Sequence, residues 1–200
     1  MDYKKAEEYI FKRLKNELPS NLYYHDINHT YDVVAAADAI AKNEKVCDED
    51  FIIVKTAALF HDSGFIVRYL NNEPLGAHIA QQTLPDFGYN QKQINIISEI
   101  ILATGIPRNP QTHLEKIMCD ADLDYLGRDD YYQLSGQLQK ELMEYGLIMS
   151  LKEWYEFQIG FLSKHEFYTP SSIKLREQKK QAQLRLLQES LKNYFAYNVK

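Results

Sequence analysis

Helical periodicity runs through almost the whole chain and constrains the fold more than any other feature. Apolar residues return at intervals of three and four, nothing alternates with period two, and the 200 residues therefore read as all-α. The punctuation agrees. A first helix from about Tyr3 to Leu18 stops at Pro19. The polar, aromatic loop Tyr23 to Thr30 opens a second helix with Val33, Ala36, Ala37 and Ile40 at core spacing. Asp48 is expected to cap the third. Asn72 or a neighbour caps the next, with Pro74 in its first turn, and this helix ends near Asp86-Phe87-Gly88. Asn90 caps another, which stops at Gly105-Ile106-Pro107, and Arg108-Asn109-Pro110 is loop. Thr112-His113-Leu114-Glu115 has the form of a capping box, and its helix ends near Gly127. Asp129 and Asp130 cap a helix to Tyr145, Ser150 caps one containing Trp154 and Phe157, and Thr169-Pro170 opens the last.

Composition narrows the class of function. A net charge of −5 argues against bulk binding to nucleic acid or anionic membrane. No apolar run has the length of a signal peptide or approaches the ~20 residues of a membrane span. Cys47 and Cys119 have no CxxC spacing, so a reducing cytoplasm is the expected setting. The last helix carries Lys174, Arg176, Lys179, Lys180 and Arg185, which read as a solvated basic face. The same helix has enough apolar positions to dock on its own domain or to pair two chains into a homodimer.

Chemistry concentrates in Ala57-Ala58-Leu59-Phe60-His61-Asp62-Ser63-Gly64. The run reads as the end of a buried helix, with Gly64 as a left-handed stop. An imidazole and a carboxylate there are costly to bury unpaired, and sharing a metal ion satisfies both. Adjacent helical residues point ~100° apart, so other helices must contribute. His29 lies one turn before Val33 and faces the core. His25 sits at the mouth of a site or simply in a loop. Asp120, Asp122 and Asp124 crowd a partly apolar helix although Asp is a poor helix former. Asp120 and Asp122 lie ~200° apart, so one faces inward. The order H…HD…D on inward faces gives two histidines and two carboxylates, a set that suits one divalent ion: Fe, Mn, Ni, Zn or Mg.

Over about Leu22 to Gly127 the chain resembles the HD superfamily of metal-dependent phosphohydrolases, including an uncharacterised bacterial subgroup. Tyr24-His25-x-x-x-His29-Thr30, Leu59-Phe60-His61-Asp62-Ser63-Gly64, Ile101-Leu102-Ala103-Thr104 and Asp120-Ala121-Asp122-Leu123 carry the resemblance. It implies an all-α helical bundle with His29, His61, Asp62 and Asp122 as metal ligands, and Asp120 outside the ligand set. The whole chain, 1–200, is then one HD-type domain, with a core of about 22–127 and C-terminal helices 128–200 packed on it. Two-metal relatives carry extra histidines before the final Asp. This chain offers only His78 and His113 there, and Gly105 stands where relatives often have lysine. A mononuclear site is therefore expected.

The implied reaction is hydrolysis of a phosphomonoester or phosphodiester of a nucleotide-like small molecule by a metal-activated water. Asp62 orients the water or takes its proton, and His25 assists. Arg68, Thr104 and Arg128 are the candidates for holding substrate. The alternative is a catalytically weak, metal-stabilised module that senses nucleotide or docks in signalling. An HD-type di-iron oxygenase would need more histidine ligands than the chain supplies.

Overall fold

The computed structural model describes residues 1–198. Among them are nine α-helices, three short 3-10 turns and no strand. Two compact units divide the chain at Leu123 and Asp124.

The first unit contains α1 (Tyr3–Glu17), α2 (Ile27–Asn43), α3 (Asp48–Phe60), α4 (Glu73–Thr83), α5 (Gln91–Leu102) and α6 (His113–Asp122). Helix α3 is its centre. From Ile53 to Phe60 only Lys55 is not fully buried, and α1, α2, α4, α5 and α6 all pack against α3. A helix that is apolar on every side belongs inside a bundle. Each large side chain buried here, such as Ile53, Leu59 or Phe60, stabilises the fold by roughly 1.5–3 kcal/mol. Ala57 and Ala58, both wholly buried, keep the spacing to neighbouring helices short.

Caps follow the sequence in most places. Asn90 with Gln93 and Thr112 with Glu115 both form complete capping boxes. Several details differ from expectation. Helix α4 stops at Thr83, and a 3-10 turn, Leu84–Phe87, carries the chain on to Gly88. The cap of α3 is Cys47, and Asp48, Glu49 and Asp50 all fall in the first turn, where they complement the helix dipole. Helix α6 stops at Asp122 and a 3-10 turn, Asp124–Gly127, follows it. Gly64 is not left-handed: the glycines with positive φ are Gly88 and Gly146. Gly64 lies in the 3-10 turn Ser63–Ile66, and a Cβ there would meet the Asn72 carbonyl oxygen at 1.9 Å. Gly76 faces it, with the His61 and Phe60 carbonyl oxygens 2.8 and 2.9 Å from where its Cβ would stand. Glycine is required here for close backbone approach, which seats the start of α4 on the turn after α3.

The second unit contains the Asp124–Gly127 turn with α7 (Tyr131–Glu144), α8 (Leu151–Lys164) and α9 (Pro170–Asn198). Helix α9 packs on α8 and on the turn, where Gly127 lets the backbone of Arg176 approach closely. The basic residues of α9 are not one solvated face. Arg176 grips Asp124 with bonds of 2.6 and 2.9 Å, and Lys179 pairs with Asp129. Lys180 is buried, donates to the His165 carbonyl at 2.5 Å, and lies over the Phe167 ring. An ammonium can be buried when acceptors and an aromatic face replace its water.

Candidate metal centre

The three helix ends that carry the HD-type residues converge within the first unit, because α2, α3 and α6 pack against one another. Asp26 caps α2, accepting from the backbone N–H of Asn28 at 2.8 Å and of His29 at 3.0 Å. That fixes the first turn and with it His29. His61 is the C-terminal cap of α3, Asp62 follows it, and Asp122 is the last residue of α6.

Four donor atoms meet there. His29 Nε2 lies 3.2 Å from Asp122 Oδ1 and 3.3 Å from Asp62 Oδ2. His61 Nε2 lies 3.1 Å from Asp62 Oδ2, 3.4 Å from Asp122 Oδ1 and 3.4 Å from His29 Nε2. Donors around an ion at about 2.1 Å are separated by roughly 3.0–3.4 Å, from octahedral to tetrahedral angles. The histidine pair and the four histidine–carboxylate pairs have that spacing.

The surroundings orient each donor. His61 Nδ1–H donates to the Ala58 carbonyl at 2.9 Å, leaving Nε2 with a lone pair toward the cluster. Asn72 Nδ2 donates to Asp62 Oδ1 at 3.2 Å, so Oδ2 is the oxygen that faces the histidines. This explains why Asn72, at the cap position of α4, makes no side-chain bond to that helix. Arg108 Nη2 donates to Asp122 Oδ2, and its Nη1 donates to the Cys119 carbonyl at 2.8 Å.

Three observations fit a divalent cation. Asp62 Oδ2 is buried, with the His61 and His29 Nε2 atoms 3.1 and 3.3 Å away as its polar neighbours. Two carboxylates sit at or just past the C-terminal ends of helices, where the dipole opposes negative charge unless a cation is present. The electrostatics point the same way, because without an ion the positive charge between the carboxylates falls to the imidazoles. Burial pulls the His29 imidazole down, but the Asp122 and Asp62 carboxylates outweigh it and lift it to about 9. His61 is raised too: burial is opposed by the charge of Asp62 and the bond with Asp122. Asp62 and Asp122 are held low against burial, Asp62 by His61 and His29, Asp122 by Arg108 and then the histidines.

The other residues singled out in the sequence lie as follows. Asp120 is wholly buried and outside the group of His29, His61 and Asp122, whose donors lie within 4.8 Å of one another. His25 is half-buried beside the cluster, its ring 5.6 Å from that of His29 and stacked on Phe65 at 4.6 Å. Arg68 is exposed, and its guanidinium donates to the Asn71 carbonyl. Thr104 is buried and donates to the Ile101 carbonyl at 2.8 Å, closing its own helix. Arg128 belongs to the second unit, where Asp130 and Asp124 hold it. His78 and His113 are both exposed.

Sequence reasoning missed Arg108 and the true use of Asn72. The available signal for Arg108 was a lone arginine between two prolines, Pro107 and Pro110, in a loop leading directly into the Asp-rich helix.

Comparison with known proteins agrees with this geometry. The HD domain family model matches residues 26–124, the segment that contains all four donors. Two solved structures share the fold. One is a predicted HD superfamily hydrolase from an uncultured Thermotogales bacterium, 22% identical, with a TM-score of 0.62 over 96% of this chain and 92% of that one. The other is Bacillus subtilis YpgQ in complex with ADP, 20% identical, with a TM-score of 0.67 over 96% of this chain and 97% of that one. None of the curated proteins matches the sequence. With its helix order, its converging helix ends and the family-model match, the segment 26–124 of this chain is an HD domain.

Proposed function

We propose that the chain is a metal-dependent phosphohydrolase acting on a phosphomonoester or phosphodiester of a nucleotide-like small molecule. The observation that carries this reading is the approach of His29 and His61 to both Asp62 and Asp122, each imidazole Nε2 lying 3.1–3.4 Å from an oxygen of each carboxylate. These four residues would hold one divalent ion of the Fe, Mn, Ni, Zn or Mg class. When bound, such an ion supplies Lewis acidity and lets water act as a nucleophile near neutral pH.

The chain's own groups perform the rest. Asp62, beside the coordinated water, would orient it and take its proton as oxygen bonds to phosphorus. His25, wedged among Tyr24, Phe65 and Tyr69, donates to a phosphoryl oxygen or to the leaving oxygen as the P–O bond breaks. Arg68, in the loop between Phe65 and Asn72, is the rim cation for the rest of an anionic substrate. A nucleotide is favoured by the fold likeness to YpgQ, which was solved with ADP.

The test is a nucleotide panel with the protein loaded with Mn or Fe, assayed for released phosphate or nucleoside monophosphate. Turnover that vanishes in His61→Ala combined with Asp62→Ala supports the proposal. Turnover that survives in this double variant removes it. Nucleotide binding without any hydrolysis would leave a metal-stabilised sensing module instead.

A further inference from the structure

We infer that Arg108 is a positioning residue that, with Asn72, restricts both carboxylates of the metal centre to one donor oxygen each and so selects a small divalent ion against calcium. The inference rests on the proposed metal centre and goes beyond it to the class of ion the pocket accepts.

The two carboxylates are treated alike. In Asp62, Oδ1 is held by Asn72 and Oδ2 faces the histidines. In Asp122, Oδ2 is held by Arg108 and Oδ1 faces the histidines. A carboxylate with one oxygen engaged by a donor cannot rotate to offer both. Calcium takes six to eight oxygens at about 2.3–2.6 Å and commonly uses two-oxygen carboxylates, whereas Mn, Zn and Mg sit near 2.0–2.2 Å with fewer ligands.

Arg108 does more than occupy an oxygen. Cys119 lies three residues before Asp122, and its carbonyl is among the last four of α6, which have no partner within the helix. One guanidinium thus ties both the backbone of the last turn and the carboxylate that the turn presents. A planar fork can span two acceptors, whereas a lysine ammonium is a point donor on a flexible stem. Arg108 Nε is buried without a hydrogen bond, so the fold tolerates one unsatisfied donor to place the fork there.

The experiment compares Mn2+ and Ca2+ binding by wild type, Arg108→Lys and Arg108→Met, using calorimetry on metal-free protein and melting curves in chelator. Both ions are divalent, so the ratio of their dissociation constants cancels the change of charge in Arg108→Met. Expected is a preference for Mn2+ over Ca2+ that falls roughly tenfold or more in both variants, in line with the usual effect of removing a ligand's outer partner. Chelator-treated Arg108→Lys should melt below wild type, because it loses the bond to the Cys119 carbonyl, and the ratio of dissociation constants is read apart from that loss. If one variant fails to fold, the other still reports the ratio. An unchanged ratio, or a melting loss with the ratio intact, overturns the inference and leaves the metal centre standing. Wild type that binds no Mn2+ overturns both.

Discussion

Asn72 Nδ2 lies 3.2 Å from Asp62 Oδ1, and this contact links the start of α4 to the turn that ends α3. It reaches across ten residues because Gly64 and Gly76 let the two backbones touch. Asn72 is buried, so its amide acts where water cannot replace it.

Asn72→Ala should therefore weaken metal binding by about 10–100-fold, the usual effect of losing a partner behind a ligand. Stability in chelator should fall by about 1–3 kcal/mol, because Asp62 loses a donor in a buried setting. Titration with Mn2+ and a urea melt separate the two effects. Unchanged affinity would mean that Asp62 is oriented without this amide.

Gly64→Ala should be among the most damaging single-methyl changes in the chain. The new Cβ would stand 1.9 Å from a backbone oxygen that has no rotamer to change. A loss of roughly 3 kcal/mol is expected, with displacement of Asn72 and loss of metal affinity. Gly136→Ala is the control: it has nothing within 4 Å of the added carbon, and a helical alanine should be neutral or stabilising.

In metal-free protein, stability should fall as pH rises from about 6.5 to about 9. His29 is held near 9 in the fold against 6.5 when free, so its protonated form contributes fully below 6.5. That contribution, at most on the order of 3 kcal/mol, is lost as the proton leaves. Urea midpoints across this window in chelator test the direction. Saturating Mn2+ should flatten the slope, because the ion replaces the proton's charge.

The two thiols should separate cleanly. Cys47 is exposed, whereas Cys119 is buried, donates to the Ala103 carbonyl, and is pushed up to about 12 chiefly by burial. A disulfide reagent at pH 8 should modify one thiol per native chain and two in denaturant. Rapid native modification of both would show that the Arg108 loop opens readily.

His25→Ala should lower kcat by roughly 10²-fold with little change in metal affinity, if the ring supplies a proton or hydrogen bond to substrate. An equal loss of Mn2+ binding would make His25 a support for His29 instead.

Helical periodicity and capping chemistry made the fold class legible, and inward faces pointed to His29, the His61-Asp62 pair and one of Asp120 or Asp122, with the resemblance to the HD superfamily choosing Asp122. What stayed hidden was contact across loops. Asn72 stands at the cap of α4 as its type suggests, yet its side chain serves Asp62 instead of the helix, and only its burial there shows this. Gly64 looks like a left-handed stop because a glycine after a helix usually is one, and the crowding by Asn72 is invisible from local sequence. Lys180 looked solvated because charge runs generally are, yet His165 and Phe167, more than ten residues away in sequence, receive it. Each miss is a local rule overridden by a neighbour distant in sequence.

The donors sit at helix termini, where fraying begins and amide protons exchange soonest. An ion held there would stitch the first turn of α2 to the last turns of α3 and α6. Its arrival would register as slowed deuterium uptake at the amides around residues 28–30, 60–62 and 120–123, with the middles of the same helices unaffected.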